Sequence, residues 1–135
     1  MIDLRTAAYA ATLLRTSLGI MLLAHGLLKV FVFTIPGTVG FFEKVGFPGI
    51  LAYPVIAVEI VGGVMLIAGV YTRWESLAAV PVLLGATMVH FGNGWMFANP
   101  NGGWEFPVFW TVALVVQALL GDGAYTARTL VTSAR

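Results

Sequence analysis

The chain has 135 residues, 59% of them hydrophobic and only 10% charged, with a mean hydropathy of +0.93. A soluble domain is about 45–50% apolar and about 25% charged, so this composition excludes a soluble globule, a disordered tail and a collagen-like chain. The net charge of +1 leaves no electrostatic footprint for nucleic acid, and the absence of cysteine removes disulfides, thiol catalysis, iron–sulfur clusters and zinc–thiolate sites. What remains is a small integral membrane protein.

A membrane helix needs about 20 mostly apolar residues, because the hydrocarbon layer is about 30 Å thick. Four stretches are read as spans. The first covers 9–33 and is interrupted by Arg15, His25 and Lys29. A loop bracketed by Thr34-Ile35-Pro36-Gly37 and Gly46-Phe47-Pro48-Gly49 follows, carrying Phe41, Phe42, Glu43 and Lys44. The second span, 50–70, contains Glu59, and Tyr71-Thr72-Arg73-Trp74-Glu75 links it to the third, 76–97, which contains His90. Asn99-Pro100-Asn101-Gly102-Gly103 is a turn cluster. The last and shortest span, 106–120, contains Gln117 and stops at Gly121-Asp122-Gly123, and the tail 121–135 is too polar to span. Backbone groups left unpaired in lipid cost several kcal/mol each, so the spans are expected to be helices.

The expected fold is therefore all-α: one domain over 1–135, an integral membrane four-helix bundle with antiparallel up-down neighbours. Arg5, Arg73, Arg128 and Arg135 fall on one side and Lys44 and Lys29 on the other, which places both termini in the cytoplasm. No cleavable leader is expected, because no apolar region precedes the small residues Ala7-Ala8-Tyr9-Ala10-Ala11.

Ionisable side chains inside a membrane are costly and usually face a bundle interior or a cavity. Counting about 1.5 Å per residue from the outer end of each span, His25 lies about 12 Å deep, His90 about 10 Å, Glu59 about 14 Å and Lys29 about 6 Å. Glu105 stands at the outer mouth of the last span. His25 and Lys29, four apart, share a helix face. These five residues are expected to form an outer polar pocket. Arg15 falls near the depth of Gln117 and Asp122, and the three are read as an inner polar lock that fixes packing.

Blander readings stand beside these. Lys29 can snorkel to the interface, and Glu105 and Glu43 can be solvated there. Trp74, Trp95, Trp104, Trp110, Tyr53 and Tyr71 read as an aromatic belt. The small residues Gly19, Gly26, Gly62, Gly63, Gly69, Ala78, Ala79, Gly85 and Ala86 mark close helix contacts, not a nucleotide loop. No metal site is expected.

Several strings together resemble the DoxX family of small membrane proteins. They are Arg15-Thr16-Ser17-Leu18-Gly19, His25-Gly26-Leu27-Leu28-Lys29, Gly46-Phe47-Pro48 after Phe41, and Glu59-Ile60-Val61-Gly62-Gly63 with Leu66-Ile67-Ala68-Gly69 and Thr72-Arg73. His90, Gly102-Gly103-Trp104-Glu105-Phe106 and Gly121-Asp122-Gly123 complete the pattern, which runs from about 14 to 125. The resemblance implies a four-helix protein of a bacterial or archaeal cytoplasmic (inner) membrane. It also implies a link to quinone-dependent oxidoreductases, to oxidative-stress complexes or to the catabolism of quinone-like compounds.

On that footing His25, Glu59 and His90 are expected to carry proton transfer at a quinone. His25 and His90 would hydrogen-bond the ring oxygens, Glu59 and Lys29 would set their protonation, and Lys29 and Glu105 would help bind the substrate, with Phe41, Phe42 and Trp95 against the ring. Electrons would come from a partner redox subunit. A b-type haem between His25 and His90 is a weaker expectation. The competing expectation is a non-enzymatic binding, transport or assembly subunit, working as a homo-oligomer if it transports.

Overall fold

The computed structural model describes residues 3–128; Arg135 and the rest of 129–135 lie outside the described residues. Those residues form α1 (Ala7–Phe31), α2 (Ile35–Lys44), α3 (Gly49–Ala68), α4 (Thr72–Asn93, its last turn a 3-10 turn) and α5 (Glu105–Leu120). The described residues contain no strand, so the chain is all-helical. Helices α1, α3 and α4 are long and apolar enough to cross a membrane, and α5 is a shorter apolar helix of 16 residues.

The segment 34–49, read as a loop, carries a helix. Thr34 Oγ1 accepts the Gly37 N–H at 3.2 Å and Pro36 stands in the first turn, which together start α2. Thr38, buried in that helix, donates its hydroxyl to the Lys29 carbonyl at 3.1 Å and so pins α2 beneath the end of α1. The boundary of the third span also shifts: Thr72-Arg73-Trp74-Glu75 is the first turn of α4, not a link. Gly69 (φ +70°) and Tyr71 (φ +50°), both left-handed, turn the chain between α3 and α4 in very few residues. Thr72 is buried there, and both its N–H and its hydroxyl donate to the Asp122 carboxylate.

Helix α3 is not uniform. It opens with a 3-10 turn, Gly49–Leu51, continues as α-helix and widens into a π-helical turn at Val58–Gly62 before closing as Gly63–Ala68. Glu59 sits in that wide turn. The π geometry recurs at functional sites, because it re-aims side chains within an otherwise regular helix.

The small residues do what their spacing suggests. A Cβ at Gly63 would stand 2.7 Å from the Leu23 nitrogen and 2.8 Å from the Gly19 carbonyl, and one at Gly26 would meet Ile60 and Glu59. Helices α1 and α3 therefore touch backbone to backbone. Around them Leu18, Leu22, Leu66, Ala79, Leu83, Trp110 and Leu114, drawn from α1, α3, α4 and α5, form one buried core. Large apolar side chains such as Leu13, Phe31, Met88, Phe109 and Leu119 point outward from the same helices, a surface suited to lipid.

At the other end of α1 the expected lock has a different construction. Arg15, 1% exposed, donates to five backbone carbonyls: Leu66 and Ile67 at the end of α3, and Asp122, Ala124 and Tyr125 beyond α5, at 2.6–3.0 Å. The Asp122 carboxylate is turned to Thr72, and Gln117 donates instead to the Gly121 carbonyl. The guanidinium has five N–H groups in a planar fork, and the carbonyls at the end of α3 and in the segment beyond α5 match that fork better than one carboxylate would.

Candidate ligand-binding cavity

All five helices line one cavity of about 410 Å³. Its walls are apolar: Leu51, Pro54 and Val55 from α3, Pro81 to Leu83, Ala86 and Val89 from α4, Phe106 and Pro107 from α5, and Phe41 and Phe42 from α2. Helix α2, tied to α1 by Thr38 and packed against the start of α3, brings the two phenylalanines there. Into these walls are set His25 and Lys29 from α1, Glu59 from α3, His90 from α4 and Trp110 from α5. A mostly apolar pocket with a few convergent polar groups is the usual form of a small-molecule site.

The polar groups are individually held. Lys29 Nζ donates to Glu59 Oε1 at 2.8 Å, and the Glu59 side chain is 6% exposed. The second oxygen, Oε2, is buried without a hydrogen-bond partner, an expensive condition for a carboxylate. His25 Nδ1 lies 2.8 Å from the Met21 carbonyl. A carbonyl only accepts, so Nδ1 carries the proton and Nε2 is left at the tip of the ring. His90 repeats the pattern: its Nδ1 donates to the Asn101 and Gly102 carbonyls, each at 3.1 Å. The loop that supplies those carbonyls is itself cross-tied, by Asn93 to Gly102 and Asn99 to Asn93. The Trp110 ring packs edge-on to His25, centroids 4.9 Å apart, and its Nε1 is buried and unpartnered.

Of the residues expected at the outer pocket, His25, Lys29, Glu59, His90, Phe41 and Phe42 come together on this cavity. Glu105 and Trp95 do not line it. Glu105 Oε1 accepts the Phe97 N–H at 2.7 Å, closing the loop ahead of α5, and Trp95 packs edge-on against Trp104 at 4.5 Å. Trp95 belongs to the loop between α4 and α5 and Glu105 is the first residue of α5, and the compact bonding of that loop engages both. Trp110 is the converse correction. It reads as a belt residue, but it is only 4% exposed and faces the cavity. Its place five residues into α5, one turn beyond Phe106 and Pro107, is the signal that would have found it.

An all-helical chain with spans of membrane length and an apolar outer surface belongs to the class of helical membrane proteins. The DoxX family model matches residues 10–92, and the chain belongs to the DoxX family. It is also 38% identical over 74 residues to a protein of Bacillus subtilis (strain 168) named "Putative oxidoreductase CatD", an overlap of 55% of this chain and 54% of that one. The chain thus spans about half the length of the curated relative it matches. No solved structure matches it.

Proposed function

We propose that the protein is a quinone-linked redox component of a bacterial or archaeal cytoplasmic membrane, a four-span bundle with both termini in the cytoplasm, working with a partner subunit that carries the electrons. The observation that carries this reading is the cavity itself: apolar walls wide enough for an aromatic ring, with Glu59 Oε2 buried and unpartnered among them. The oxidoreductase name of the Bacillus subtilis relative points to the same class of chemistry.

A bound quinone would supply reversible uptake of electrons and protons at its two ring oxygens. The chain's own residues supply the rest. Phe41, Phe42 and Phe106 hold a ring in place and exclude water. His25, with its proton at Nδ1 fixed by Met21, offers Nε2 as the atom that takes or returns a proton at a ligand oxygen. His90 offers the same atom from the opposite helix, oriented by Asn101 and Gly102. Lys29 holds Glu59 in place, so that the carboxylate orients the ligand without drifting into the bundle.

The test is an absorption spectrum with mass spectrometry of the lipid extract, on protein purified in mild detergent. A quinone ring at near-equal molar amount, lost in His25→Ala, is the expected result. A colourless protein that carries only phospholipid overturns the redox reading in favour of a binding, transport or assembly subunit, and a Soret band would replace the quinone with a haem between His25 and His90.

A further inference from the structure

The helices do not close around the cavity evenly. Helix α4 packs closely on α5, and the His25 and Trp110 rings meet across the α1–α5 seam at the level of the cavity. Between α3 and α4 the packing is confined to one end. Helix α4 meets α3 along 58–68, where Gly62 lies under the Glu75 side chain, while 49–57 packs instead on α1 and α2. At that wider end Leu51, Pro54 and Val55 of α3 and Pro81, Gly85 and Ala86 of α4 line the cavity from its two sides. Leu51 is 41% exposed, and Pro54 and Pro81 are exposed as well. These side chains belong at once to the cavity wall and to the outer surface, which is the condition of a mouth. A Cβ on Gly85 would meet nothing within 4 Å; the space beside it is open, where that beside Gly62 is filled.

The rim of this mouth is apolar. Neither 49–58 nor 76–89 carries a charged side chain, and Ile50, Leu77, Leu84 and Met88 beside the lining residues face outward. Such a rim suits hydrocarbon, not water. The cavity, about 410 Å³, holds a ring but cannot also enclose a long tail. Resting on the quinone-site reading above, we infer that the cavity opens sideways into the bilayer between α3 and α4. Its ligand is a ring bearing a long apolar tail, with the ring inside and the tail leaving past Gly85 into the lipid. The tail stays in hydrocarbon throughout, so the ring enters and leaves without exposing apolar surface to water.

The experiment measures calorimetric binding to the full chain in detergent of two probes. Menadione is the ring alone, and menatetrenone is the same ring with a prenyl tail too bulky to be enclosed with it. Both are expected to bind, menatetrenone at least as tightly as menadione. Gly85→Leu sets a branched side chain in the path of the tail, and is expected to weaken menatetrenone about tenfold more than it weakens menadione. Gly85→Ala, which has room for its Cβ, is expected to shift the balance the same way by less, and keeps the test readable should the leucine variant fail to fold. Menadione binding with menatetrenone excluded overturns the inference while leaving the quinone site standing. Equal weakening of the two probes by the Gly85 variants also overturns it, because the tail then leaves elsewhere. If neither probe binds the unaltered chain, the quinone site itself fails, and the inference with it.

Discussion

Glu59 and Lys29 are the side chains that an apolar bundle can least easily accommodate alone. Their ion pair joins α1 to α3, with the Glu59 side chain 6% and the Lys29 side chain 20% exposed. Removing one partner leaves the other as an uncompensated charge, whereas removing both leaves none. Lys29→Met is therefore expected to destabilise the protein by roughly 3 kcal/mol, and Lys29→Met with Glu59→Leu to recover most of that. Thermal unfolding of the two variants in the same detergent checks this; equal destabilisation would mean that the pair contributes nothing as a pair. Arg15 makes a contrasting case, since its partners are carbonyls and not an acid. Lysine keeps the charge but cannot reach five acceptors in a plane. Arg15→Lys is expected to cost roughly 2 kcal/mol and to open the segment after α5 to limited proteolysis. Affinity for a ligand in the distant cavity stays unchanged, a separation that binding measured on the same sample would test.

Among the elements, α3 carries the largest consequences. Its π turn presents Glu59 to the cavity, while the adjoining glycines face two other helices: Gly62 lies under the Glu75 side chain of α4, and Gly63 lies against the backbone of α1. A Cβ at Gly63 meets backbone atoms that cannot step aside. Gly63→Ala should thus push α1 off α3 and open the Lys29–Glu59 pair, lowering stability by about 2 kcal/mol and weakening ligand binding. Gly40→Ala on α2, where a Cβ would meet nothing within 4 Å, should be neutral or stabilising by up to about 1 kcal/mol, through helix propensity alone. Melting temperatures of the two variants, one falling and one not, measure the close approach directly. Helix α2 shows what element-level reading lost. Its ten residues hold two glycines and a proline, so propensity argues for a loop, while the Thr34 cap and the Thr38 bond to α1 make it a helix.

For the whole molecule, the proposed topology places Arg5 on the cytoplasmic side and Lys44 on the outer side. The absence of cysteine allows this to be read with single introduced thiols. In intact cells Lys44→Cys is expected to react with a membrane-impermeant maleimide, and Arg5→Cys only after the membrane is permeabilised. The reverse pattern would invert the orientation, and reaction of both in intact cells would mean that an even number of segments crosses between them, contrary to a single crossing by α1. Both positions are exposed in the structure, so access depends on the bilayer and not on burial.

Composition and the run lengths of apolar residues were enough to establish an all-helical chain suited to a membrane, because lipid leaves the backbone few alternatives to the helix. Rise per residue is constant along a helix, and counting it put His25, Glu59 and His90 at nearly one level without any knowledge of packing; all three line the same cavity. Rotation was not legible, since it depends on which faces the glycines of α1 and α3 bring into contact. The tertiary structure alone decided that His25, Lys29, Glu59 and His90 share a cavity with Trp110, that Glu105 and Trp95 serve the neighbouring loop, and that Arg15 is held by carbonyls. The physical reason is the same in each case. A polar side chain in an apolar setting must find partners, and which partners lie within 3 Å is a property of how the helices meet, not of where a residue stands along its own.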